Sequence, residues 1–245
     1  MTTASHPLAA LLARIQPVPD ARIEAAYAHL DQLTKPRRSL GRLEALAARI
    51  VAITQQPKPD VRRKRICVFA GDHGVCVEGV SAYPPAVTGL MVGNFLRGGA
   101  AINVLARRAG AEVEVIDIGV ASDLGTPPGL ICRNIGRGTR NLAQESAMTA
   151  EETVCAIQVG VERAEAAAQA EVALLATGEM GIGNTTPAAA LFAALLELPA
   201  AELVGPGTGL DAAGVAHKRD IVTRALALHR QSCRTPLGAI WAASA

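Results

Sequence analysis

Apolar residues recur at helical spacing over the first sixty positions. In SLGRLEALAARIVAI (39–53), Leu40, Leu43, Leu46, Ala47 and Ile50 share one helix face. DARIEAAYAHLDQL (20–33) reads as a second amphipathic helix, and Pro36 in the linker LTKPRRSLG separates the two. The pattern changes after the basic, proline-containing stretch QQPKPDVRRKR, which puts a soft boundary near residue 60. ICVFA (66–70) is a compact apolar run ending in Gly71-Asp72-His73-Gly74, the signature of a strand feeding a loop. VEVIDIG (113–119) and VALLATG (172–178) repeat that design and also close on glycine. Helical segments lie between and after them. One covers 100–109 and is closed by Gly110, and another opens at the capping box Thr149-Ala-Glu-Glu152. A third covers 186–198, with Thr185 or Thr186 as N-cap and Pro187 in the first turn; a fourth runs from about Asp211 to His229. Strand, glycine loop and helix alternate, so the expected fold class is α/β with a mostly parallel sheet.

Composition sharpens this picture. Half of the 245 residues are hydrophobic but only 2% are aromatic, so the core is expected to be Ala, Val, Leu and Ile, which suits helices lying close on a parallel sheet. The formal net charge is +2 with both signs scattered, which argues for neither a nucleic-acid nor a membrane partner. Five cysteines without a CxxC pair read as reduced thiols. The start, MTTASHPLAALLARIQ, is a poor signal peptide, and the apolar run Pro187 to Leu196 is too short to span a bilayer. A soluble, cytoplasmic protein is expected.

The chemistry concentrates in GEMGIGNTTPAA (178–189). Gly178, Gly181 and Gly183 fall where a strand ends and a helix begins, a junction suited to an anion such as phosphate. A tight turn plus an N-cap would account for one or two of these glycines. No Lys follows as in a P-loop, and Gly181-x-Gly183-x-x-Thr186 lacks the third glycine of a dinucleotide fingerprint, which disfavours a dinucleotide-dependent oxidoreductase. Glu179 beside a phosphate would be repulsive unless it served a ribose hydroxyl or a developing cation. A second cluster, Gly205-Pro-Gly207-Thr-Gly209, also precedes a helix, on which Lys218 either reaches back to a phosphate or is a solvated surface lysine. Asp72, His73 and Cys76 are ligand types without a second cluster, so a substrate-ordering loop or a satisfied His–Asp pair is favoured over a metal site. Neither a metal nor a cofactor is expected.

GEMGIGNTTPAAAL and GPGTGLDAAGVAHK closely resemble the paired signature of the nicotinate-nucleotide–dimethylbenzimidazole phosphoribosyltransferase family. FAGDHGVCVEGVSAYPPAVTGLMVGNFLRGGAAINVLAR and IGRGTRNLAQESAMT match as well, and LTKPRRSLGRLE resembles the family's N-terminal motif with Arg38 where a glycine is expected. The similarity runs from about residue 34 to about residue 230. It implies a Rossmann-like sheet with a small helical part at 1–60, a nucleotide-binding domain over 61–245, and a homodimer. The implied reaction moves ribose 5-phosphate from nicotinate mononucleotide to 5,6-dimethylbenzimidazole, giving α-ribazole 5′-phosphate and nicotinate. Carried over, Gly181, Gly183, Asn184 and Thr185 cradle the phosphate, with Gly207 and Gly209 opposite. Lys218 matches the family's lysine and Glu179 an active-site glutamate, while Tyr83 and Met91 fall where the benzimidazole pocket is lined, positions that ordinary packing would also explain. The family's chain continues past QSCRTPLGAIWAASA and carries its general-base glutamate there, so this chain alone is expected to have little transferase activity. A non-catalytic module that only binds nucleotide or benzimidazole is the alternative.

Overall fold

A computed structural model describes residues 8–243, which form two compact units divided between Arg62 and Arg63. The first unit carries α1 (Ala9–Leu12), α2 (Asp20–Leu30) and α3 (Arg42–Thr54). Between α2 and α3, Arg38 adopts φ +60, a left-handed conformation that favours glycine. Two contacts hold it there. Its guanidinium lies 3.7 Å from the Tyr27 ring centroid, and its Nε lies 3.0 Å from Asp31 Oδ1. The residue at which the family motif calls for glycine thus keeps a glycine-like backbone.

The second unit contains β1 (Lys64–Gly71), α4 (Val87–Leu96), α5 (Ala101–Ala109), β2 (Ala111–Gly119) and β3 (Leu130–Cys132). It continues with α6 (Ala150–Gln169), β4 (Leu174–Met180), α7 (Thr185–Leu196), α8 (Ala200–Leu203), α9 (Ala212–Leu228) and α10 (Pro236–Ala243). The four strands form one parallel sheet in the order β3-β2-β1-β4. The α/β class expected from the alternation is therefore the class observed. β3 and α4 were not foreseen, since β3 is three residues long and α4 is apolar on nearly every side.

Both faces of the sheet are covered at β1 and β2, as continuous apolar strands require, while most of β4 is exposed. Val68, Ala70 and Val115 pack with Val92 and Phe95 of α4, while Cys67 and Ile116 on the opposite face pack with Val159 of α6. A third cluster is alanine-rich: Ala189 and Ala190 of α7 lie among Ile221, Val222 and Ala225 of α9. Small side chains there let helices approach closely, which is how a chain so poor in aromatics fills its core. The connection from β1 to β2 lies to one side of β1 and β4 to the other, so the chain reverses direction across the sheet between β1 and β4. Such a switch point leaves a crevice beyond the carboxyl ends of the strands.

Helix ends fall close to the sequence expectation. Gly110 closes α5 at φ +63, and the Asp211 carboxylate accepts from Gly214 N at 2.8 Å to cap α9. At α6, Thr149 Oγ1 accepts from Glu152 N at 3.1 Å and Glu152 Oε2 accepts from Thr149 N at 2.6 Å, the reciprocal box read from the sequence. Arg140 also donates to Glu152 Oε2 at 2.7 Å, tying the preceding loop to this cap. Thr149→Ala removes one half of the box, so chemical denaturation should show a loss of about 1 kcal/mol. No change in midpoint would mean that Arg140 alone holds the helix start.

Candidate active site

Glu179 was expected in a loop but belongs to β4, in register with Phe69 of β1, so its carboxylate projects on the α6 side of the sheet. It lines a cavity of about 380 Å³ at the switch point, together with Asp72, His73, Asn184 and Thr185. Phe69, Ile118, Leu191 and Phe192 supply apolar wall. Burial raises the Glu179 carboxyl pKa, opposed by a hydrogen bond from Asn184. Asn184 Nδ2 donates to Glu179 Oε1, and it is Asn184 that takes the N-cap position of α7. Neither Thr185 nor Thr186 is the N-cap, because both already lie inside the helix.

The Thr185 hydroxyl serves a different partner, accepting a hydrogen bond from Lys218 Nζ. Lys218 is 0% exposed, so it is not a solvated surface lysine. Burial lowers its pKa, and among the described residues it has no carboxylate partner. Gly207, at φ +53, completes the group: a Cβ there would lie 2.8 Å from Thr185 Oγ1 and 3.0 Å from Lys218 Nζ. An ammonium, a hydroxyl at a helix N-terminus and a bare backbone thus converge on one place, an arrangement that suits a multivalent oxyanion. Gly209 lies two residues on and has open space around its α-carbon.

At Gly181 and Gly183 packing gives a reason for glycine. A Cβ at Gly181 would lie 2.3 Å from Gly71 O and 2.4 Å from His73 Nε2. At Gly183, φ +86, it would lie 2.4 Å from Cys76 Sγ. Their missing side chains let the β4–α7 loop nest against the segment leaving β1. Several amides of that loop are engaged inside the protein: Ile182 N donates to Thr88 Oγ1, Asn184 N to Gly181 O and Thr186 N to Gly183 O. The Lys218 ammonium and the Thr185 hydroxyl lie together at this end of the loop.

Tyr83 and Met91 do not line the cavity. Tyr83 is 56% exposed, and Met91 packs against the core cluster around Val68 and Val92. Sequence reading assigned no task to the segment Gly136–Thr139, yet Gly138 and Thr139 form part of the cavity wall. Only their place in the IGRGTRNLAQESAMT match marked them. Asp72 and His73 are not a satisfied pair: Asp72 Oδ2 accepts from Ala121 N at 2.8 Å, while Asp72 Oδ1 and His73 Nδ1 are buried without partners. No group of three or more metal-ligating side chains occurs among the described residues. The described cysteines are all free, and no described helix is long and apolar enough to cross a membrane.

Burial pushes the His73 pKa down to about 4 from an ordinary 6.5, outweighing the opposite pull of Asp72. Between those values the unfolded chain binds the proton and the folded chain does not. Stability therefore falls as pH drops from 6.5 toward 4. His73→Gln should flatten the pH dependence of the urea midpoint across that window. An equally steep fall in the variant would assign the titration to another group.

A phosphoribosyltransferase family model matches residues 15–244. The nicotinate-nucleotide–dimethylbenzimidazole phosphoribosyltransferase of Chlorobium chlorochromatii is 51% identical over 233 residues, 95% of this chain and 66% of that protein. The enzyme of the same name from Pseudomonas aeruginosa is 55% identical over 199 residues, 81% of this chain and 57% of that one. The crystal structure of CobT from Thermus thermophilus matches with a TM-score of 0.86 at 49% identity, covering 92% of this chain and 67% of that chain. The chain thus spans about two thirds or less of the length of these curated relatives. Matched over all but its extreme ends, it belongs to this phosphoribosyltransferase family.

Proposed function

We propose that this chain carries the binding machinery for transfer of ribose 5-phosphate from nicotinate mononucleotide to 5,6-dimethylbenzimidazole, with α-ribazole 5′-phosphate and nicotinate as products. The observation that carries the reading is the fully buried Lys218, set without a carboxylate beside Thr185 and Gly207. An ammonium buried in this way is costly until an anion reaches it, and the 5′-phosphate is that anion. The names of the relatives supply the substrates.

The remaining geometry fits the reaction. The bond from ribose C1′ to the pyridinium nitrogen breaks, and the leaving ring departs neutral at that nitrogen. Positive charge grows on the ribose as in glycoside cleavage. A benzimidazole nitrogen attacks from the opposite face, which turns the β riboside into an α riboside, and the proton on its other nitrogen passes to a carboxylate base. The pyridinium ring lies in the apolar cavity, where Glu179 answers its charge and then the charge growing on the ribose. The benzimidazole lies across C1′ from the leaving ring, on the side of Tyr83. Phosphate anchoring holds the two rings in line. Glu179 takes the growing charge and a separate carboxylate takes the proton. We assign the protein to the cytoplasm as a homodimer, a reading supported by its free cysteines and by the family resemblance.

Two substitutions test this. Lys218→Met should weaken nicotinate mononucleotide binding by about 100-fold or more, roughly 3 kcal/mol, without lowering thermal stability, because a buried unpaired charge leaves with the amine. Calorimetry showing less than a threefold change would remove the phosphate from this place. In a version extended by the family's C-terminal segment, Glu179→Gln should reduce turnover more than nucleotide affinity, since the charge it meets is largest in the transition state. A raised KM at unchanged kcat would mean that Glu179 only binds.

A further inference from the structure

Two exposed loops meet beside the anion site. Residues 81–83 end in Tyr83, and residues 205–209 carry Gly207. Thr208 joins them. Its Oγ1 accepts a hydrogen bond from Ala82 N at 2.9 Å and lies 3.2 Å from Ser81 Oγ, a second hydrogen bond. Ser81 Oγ in turn accepts from Tyr83 N at 3.3 Å. Thr208 is the only residue of its loop with a hydrogen bond to 81–83 among the described residues. The loop's own backbone support is two bonds to one carbonyl: Gly209 N and Leu210 N both donate to Pro206 O. One hydroxyl thus bridges the two loops.

We propose that Thr208 is a positioning residue that couples the two substrate sites, so that phosphate bound at Lys218 and Gly207 strengthens binding of the aromatic base at Tyr83. The inference rests on the reading above that the base lies at Tyr83. Phosphate orders the 205–209 loop, and the hydroxyl of Thr208 passes that order to the amide of Ala82 and to Ser81. The base then meets a loop whose ordering cost has already been met, which is positive coupling in the thermodynamic sense. By linkage the base strengthens phosphate binding by the same factor.

The test uses probes that cannot react together. Dimethylbenzimidazole is titrated with and without saturating ribose 5-phosphate, and hydrogen exchange is followed in a peptide covering 81–84 with and without inorganic phosphate. In the unmodified protein the sugar phosphate should tighten the base about fivefold, and phosphate should slow exchange. Thr208→Val keeps the branched shape, loses the hydroxyl, and should bring the affinity ratio close to one and abolish the protection. Thr208→Ser should retain both. Should Thr208→Val fail to fold, Ser81→Ala removes one of the two bonds and should give an intermediate ratio. An unchanged ratio and unchanged protection in Thr208→Val, or in Ser81→Ala where that is the variant measured, overturn the coupling while leaving the functional reading intact. If the unmodified protein binds neither probe, both fall.

Discussion

No side chain fits at positions 181 and 183, and the site is arranged around that restriction. Carbonyl 71, the His73 ring and the Cys76 sulfur occupy the volume that side chains there would take. The carboxyl ends of β1 and β4 can therefore close on each other at the point where the sheet reverses direction. This closure sets Glu179, Asn184 and Thr185 on one rim of the crevice and Asp72 with His73 on the other. It also fixes the start of α7, and with it the hydroxyl that receives Lys218. A looser approach would leave the same residue types in the sequence with no common place to act.

Burial then works on that frame in two opposite senses. Glu179 is pushed toward its neutral acid and Lys218 toward its neutral amine, so each has its charged form disfavoured by the protein around it. On the reading proposed above, nicotinate mononucleotide presents its phosphate to Lys218 and its pyridinium nitrogen to Glu179, and so relieves both penalties at once. After the transfer the leaving ring is no longer a cation at nitrogen. In the proposed transfer the attraction at the Glu179 end weakens while the phosphate contact persists, which would make release of the two products uneven.

Much of this was legible in the sequence because it rests on local chemistry. Strands β1, β2 and β4, the glycine stop at 110, the capping box at Thr149 and the Asp211 cap each depend on a few neighbouring residues. What escaped depends on distant ones. From the residues alone Lys218 reads either as reaching back to a phosphate or as a surface lysine until α9 is seen packed on α7, and Glu179 reads as a loop residue until β4 is seen extending to Met180. The N-cap of α7 escaped because Asn184, which takes that position, turns its side chain to Glu179 and makes no side-chain cap bond. Gly183 illustrates the same limit, because the reason for the glycine is a sulfur more than a hundred positions earlier in the chain.

At Arg38 a backbone demand is met by an unusual residue. A glycine would hold the left-handed turn before α3 through its own conformational freedom, independent of the solution. Here the turn relies on a guanidinium set on Tyr27 and paired with Asp31, beside a second pair from Arg37 to the same carboxylate. Attractions of this kind at partly exposed positions weaken as dissolved salt shortens the reach of charge. The link between α2 and α3 thereby acquires a sensitivity to ionic strength that the glycine form of the same turn would lack.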